Sequence, residues 1–150
     1  MLHLWGMDEK PLADRVLHQM LDHDPFSQWL GITCLQVGPG TCTLSLTVRP
    51  EMLNGFSIVH GGIAYAMADS ALAFAANSHG TQCVSIETSI SHLRPCKAGD
   101  ELEAVALEVN RSKNLGLYQV EVRQSSTRAL VATFKGTVFR TGTPWFPESE

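Results

Sequence analysis

Residues 61–79, GGIAYAMADSALAFAANSH, constrain this chain more than any other stretch. After two glycines the segment is apolar nearly all round and rich in alanine, with no polar stripe of the kind a surface helix carries. A helix of this composition has to be covered on every side. One antiparallel sheet curling round it meets that need.

The rest of the chain supplies the strands. ITCLQV (32–37) and TCTLSLTV (41–48) flank Gly38-Pro39-Gly40 and read as a hairpin, with Leu44, Leu46 and Val48 alternating with Thr and Ser. Four further strand-like runs follow the helix: 83–93, 101–109, 117–124 and 129–140, separated by turn-forming and charged residues and expected to run as a meander. Ahead of the hairpin, PLADRVLHQMLDH (11–23) has apolar residues at helical spacing, and DPFSQWLGI reads as a turn. The tail TGTPWFPESE, with two prolines, is expected to be a loose extension from about residue 142. The expected fold class is α+β, in one domain spanning 1–150.

Composition narrows the function. The 150 residues are 44% hydrophobic and 17% charged, with a net charge of −4, so nothing global draws the chain to nucleic acid or an anionic membrane. The apolar run 63–76 is broken by Asp69 and is shorter than the roughly 20 residues a membrane span needs. The first residues, MLHLWGMDEKP, lack the pattern of a signal peptide. Cys34, Cys42, Cys83 and Cys96 form no CxxC pair or metal-ligand spacing, and reduced thiols in the cytoplasm are expected; Cys34 and Cys42 could face each other across the hairpin. Six scattered histidines without HExxH point to no metal, and no dinucleotide or phosphate-loop fingerprint calls for a cofactor.

Asp69 is the exception in the apolar helix. Burial disfavours a carboxylate's charged form and raises its pKa, and a tuned acid suits proton transfer near neutral pH. A structural acid bonded to a backbone amide fits this position as well. Upstream, Gly61 and Gly62 stand where helix N–H groups are unpaired and the dipole end is positive, so a ligand oxygen can approach closely. The pair could equally serve a sharp turn.

Geometry links the two features. Seven residues separate Gly62 from Asp69, which is about 10 Å along a helix axis. One carbonyl carbon needs its oxyanion donor and its attacking group within about 3 Å. If both act on the same carbon, they come from two subunits, and a symmetric dimer with two shared sites follows.

HGG, the Ala-rich AMADSALAFAANSHG and the turn LRPCKAGD together resemble the hotdog-fold acyl-CoA thioesterases, over about residues 25–141 and with the phenylacetic acid degradation branch as the nearest likeness. The resemblance implies an antiparallel sheet wrapped around a long central helix, dimers paired edge to edge and assembled into tetramers, and no cofactor. It assigns the oxyanion amide to Gly62, the general base or nucleophile to Asp69, acyl or water positioning to Asn54, and shaping of the catalytic loop to His60. Gly61, Ser70 and Ser85 would help to position substrate or water, and Phe56, with Tyr65 and Met67, would line the acyl pocket along with the N-terminal turn. The substrate's CoA phosphates need cations, and Arg94 with Lys97 or Arg111 with Lys113 are the candidates. The expected reaction is hydrolysis of an aryl-acetyl-CoA such as phenylacetyl-CoA or hydroxyphenylacetyl-CoA. The alternatives are a medium-chain acyl-CoA thioesterase or a non-catalytic acyl-CoA-binding module; a dehydratase lacks its Asp–His spacing here.

Overall fold

The computed structural model describes residues 11–147. Helix α1 (Leu12–Asp22) buries Ala13, Val16 and Leu17 on one face, as its spacing requires. The next segment is a helix rather than a turn: α2 (Pro25–Leu30) starts on Asp24, whose carboxylate accepts the Ser27 N–H at 3.0 Å, and stops at Gly31 in the left-handed region, φ 75°. Asp at the N-cap, Pro in the first turn and Gly beyond the last are the ordinary signals of a helix. Its six residues are too few to show a periodicity.

Helix α3 (Gly61–Asn77) is the central element. Six antiparallel strands surround it: β1 (Thr33–Gly38), β2 (Thr41–Thr47), β3 (Thr81–His92), β4 (Glu101–Arg111), β5 (Leu115–Gln124) and β6 (Leu130–Pro144), in the order β1-β2-β4-β5-β6-β3. Strands β4 to β6 form the expected meander. β3 does not begin it but crosses to the far edge and pairs with β6. In the hairpin a bulge after Cys34 sets Cys34 opposite Leu44 and Cys42 opposite Val37 in the backbone register, yet the Cys34 and Cys42 side chains meet in a thiol hydrogen bond, as free thiols like Cys83 and Cys96.

The inner face of the sheet carries Leu44, Leu46, Leu102, Val120, Val122 and Phe134, buried against Ala64, Met67, Ala68, Ala71, Leu72 and Ala75 of α3. Small residues let helix and sheet come close. At Gly136 a Cβ would stand 2.3 Å from Leu72 Cδ1, so the bare backbone of β6 is what admits that leucine.

The tail differs from expectation. β6 continues to Pro144, and Trp145 donates its backbone N–H to the Gly80 carbonyl and its indole N–H to Asn77 Oδ1, both at 2.8 Å. Buried Asn77 also accepts the Cys83 N–H at 2.8 Å, joining the end of α3, the start of β3 and the tail. Proline is tolerated at a strand's edge or end, and Trp145 then docks. Residues 1–10 of the segment read for a signal peptide and residues 148–150 lie outside the described residues.

Candidate active site

The N-terminus of α3 is built by His60. Its Nδ1 accepts the Gly62 N–H at 2.9 Å, and its carbonyl accepts the Ile63 N–H at 2.9 Å. An accepting Nδ1 is unprotonated, so the ring proton of a neutral His60 is on Nε2. This arrangement corrects the expectation for Gly62, whose amide is already committed. Gly61, the first helical residue, has an amide with no hydrogen-bond partner among the described residues.

Gly61 lines a cavity of about 460 Å³ together with Asn54, Ala64, His92 and Arg94. Asn54 shapes the preceding loop: its Oδ1 accepts the Phe56 and Ile58 N–H groups at 2.9 and 3.4 Å, and its Nδ2 has no partner among the described residues. His92, at the end of β3, was not singled out from the sequence. A Cβ on Gly61 would lie 3.0 Å from His92 Nε2, so glycine is what lets the imidazole approach the helix start. No motif marks this histidine, because the contact depends on β3 returning to the far edge of the sheet.

Asp69 lies in a different cavity, of about 350 Å³, with Met20, Phe26, Tyr65, Ser70 and Phe74. The carboxyl is partly buried, and desolvation raises its pKa above the ordinary aspartate value. No hydrogen bond or ion pair reaches it among the described residues, so nothing offsets that burial. Tyr65 is fixed by its hydroxyl contact with Thr88 Oγ1 and an edge-on packing against Phe134, with ring centroids 5.3 Å apart.

The structure thus separates the two halves of the expected chemistry into two cavities on one helix, one with a free amide and one with a raised acid. A family sequence model described as Thioesterase superfamily matches residues 56–131. Acyl-coenzyme A thioesterase PaaI of Escherichia coli is 36% identical over 83% of this chain and 89% of its own. The E. coli PaaI structure superposes with a TM-score of 0.86 at 34% identity, covering 89% of this chain and 96% of that one. A mutant of phenylacetic acid degradation protein PaaI from Thermus thermophilus superposes with a TM-score of 0.75 at 42% identity, over 78% and 99% of the two chains. The chain belongs to the thioesterase superfamily. Its architecture is the hotdog fold.

Other expected site residues of this thioesterase fall as follows. Ser70 bonds Ser27 Oγ at 3.0 Å, and since Ser27 donates its own proton to Asp24 Oδ2 at 2.6 Å, Ser70 is the donor between them. Ser85 is exposed on β3 opposite Val138 and lines neither cavity. Phe56 is 86% exposed at the loop tip and Met67 is wholly buried in the core, so neither forms a wall of these cavities. Phe26 is the aromatic wall that the N-terminal segment contributes.

The basic pairs lie at opposite ends of the sheet. Arg94 lines the Gly61 cavity and is steadied by its Nη1 donating to the Leu130 carbonyl at 2.9 Å; Lys97 is exposed in the nearby turn, where its backbone N–H bonds Asp100 Oδ2. Arg111 ends β4 and Lys113 follows it, near the C-terminus of α3, where Ser78 Oγ accepts the Gly40 N–H and His79 pairs with Glu108 at 2.9 Å. Among the described residues no helix is long and apolar enough to cross a membrane.

Proposed function

We propose that this thioesterase hydrolyses acyl-CoA thioesters at sites shared between two subunits, with aryl-acetyl-CoA, such as phenylacetyl-CoA or hydroxyphenylacetyl-CoA, as the preferred substrate class. The observation that carries this reading is the division of α3 into a free amide at Gly61 and a desolvated acid at Asp69, about two turns apart and in separate cavities. The substrate carbonyl oxygen accepts the Gly61 N–H at the positive end of the helix, with Asn54 Nδ2 orienting the acyl group or water. Asp69 of the opposing subunit either removes a proton from water as it adds to the carbonyl carbon, or adds to that carbon itself, with water cleaving the resulting anhydride. Collapse of the tetrahedral intermediate breaks the C–S bond, and the departing CoA sulfur takes up a proton.

The names of the E. coli and T. thermophilus relatives support the acyl-CoA and phenylacetic acid assignments, and the aromatic walls at Phe26, Tyr65 and Phe74 suit an aryl group. The free edge of β3, with Val84 and Ile86 more than half exposed, supports pairing of two sheets edge to edge, and two such dimers would complete a tetramer. Arg94 beside the Gly61 cavity is the favoured phosphate ligand, with Lys97 nearby and Arg111 and Lys113 available from the other end. Four free thiols accord with a cytoplasmic setting.

Thiol release from phenylacetyl-CoA, measured for wild type and Asp69→Asn, tests the reading. Wild type should release CoA and the Asn variant very little; full activity in the variant, or none in wild type, overturns it. The shared site has its own test. Gly61→Pro removes the amide proton at a first-turn position whose backbone suits proline, His60 having the extended ψ of 134° that precedes it, and its Cβ also presses on the His92 ring, so the variant disables this half of the site on both counts. Mixing inactive Gly61→Pro and Asp69→Asn chains should restore activity through one intact site per hybrid dimer. Absence of recovery despite proven subunit exchange would refute sharing.

A further inference from the structure

The Asp69 cavity takes part of its lining from outside α3, and α2, which supplies it, is anchored at both ends. At its start Asp24 accepts the Ser27 N–H and hydroxyl at 3.0 and 2.6 Å, and buried Ser27 accepts from Ser70, the residue next to Asp69. At its end Arg49 donates to the Leu30 carbonyl at 2.9 Å and to the Trp29 carbonyl at 2.6 Å, while its guanidinium covers the Trp29 ring at 5.1 Å. Between these anchors Phe26 stacks on Trp29, with centroids 6.1 Å apart and planes at 21°, and lines the cavity of Asp69. Phe26 remains 54% exposed. A ring left that open gains little from burial, yet its position is fixed from both ends of its helix.

We infer that Phe26 is a specificity-determining residue, which through the α2 anchors limits the length and shape of the acyl group that can lie beside Asp69. This inference rests on the acyl-CoA reading above. Since Phe26 and Asp69 belong to one chain and one cavity, the wall moves with the acid into whichever shared site that acid serves. Flat acyl groups would fit between Phe26, Tyr65 and Phe74, whereas a long flexible chain would run into the Phe26 ring. The Asp24–Ser27–Ser70 series transmits the position of α3 to that ring, so Ser27 acts as a positioning residue.

The experiment compares kcat/KM for phenylacetyl-CoA with that for decanoyl-CoA in wild type, Phe26→Ala, Phe26→Leu and Ser27→Ala, with thermal melting to establish that each folds. Removing the ring should raise the decanoyl-to-phenylacetyl ratio by roughly 10-fold or more, the lower end of what a hydrophobic pocket gains from discriminating a single methylene. Leucine, which retains bulk, should hold the ratio much closer to wild type. Ser27→Ala should move it in the same direction as Phe26→Ala by a smaller factor, a change in preference that a purely stabilising role would not produce. An unchanged ratio in an active, folded Phe26→Ala enzyme would overturn the wall and leave the hydrolase reading standing. Failure of wild type to release CoA from either thioester would defeat the hydrolase reading and the wall with it.

Discussion

Asp69 carries a cost in stability that its proposed part in hydrolysis would account for. Burial raises its pKa in the folded state above that of the unfolded chain. Below the ordinary aspartate range both states are protonated and no penalty arises. As pH rises through that range the unfolded chain loses its proton first, so the fold loses stability until the folded-state pKa is passed, after which the penalty is constant. Asp69→Asn should therefore raise the melting temperature at pH 7 and leave it nearly unchanged at about pH 3; an equal gain at both pH values would mean that desolvation is not the cause. Activity should follow the carboxylate, falling on acidification with a midpoint above the usual aspartate value. The acid's anomaly was legible in the sequence because a lone carboxylate among Ala, Leu and Met needs a reason. Which glycine amide is free was not legible, because that depends on whether the His60 ring turns back as a cap, and Gly61 and Gly62 look alike in the sequence.

At the scale of elements, helix and sheet fit by omission. Gly136→Ala would drive a Cβ into Leu72, a fully buried side chain, and bring it to 3.2 Å from Thr88 Cγ2. Overpacking of this kind costs about 1–3 kcal/mol, and urea unfolding should show a lower midpoint with an unchanged slope. The long helix and the alternating strands could be read from their periods, since each repeats its pattern over enough residues to stand out. Helix α2 could not, although Asp24, Pro25 and Gly31 mark its ends, because the pattern within it is less than two turns long. The order of the tail is hidden for a related reason. Its prolines read as breakers, while the partners that order it, Asn77 and Gly80, are more than sixty residues away in the chain.

For the whole molecule, the proposed shared site makes the unpaired edge of β3 the surface to test. Ile86, 60% exposed beside a bulge, interrupts the pairing with β6 and stands on the sheet's last strand. Charge on an edge strand discourages further pairing. Ile86→Lys should yield a smaller particle by sedimentation and lose most thiol release while keeping its melting transition; a fully active monomer would mean that each chain holds a complete site. Strand order across the far edge was invisible in the sequence, since local patterns define strands and not their partners. The α2 clamp carries one more consequence. Trp29 is stacked on Phe26, a wall of the Asp69 cavity, and roofed by a cation, so the indole is placed to serve as an optical gauge of that wall: its emission should shift when an acyl group displaces the Phe26 ring.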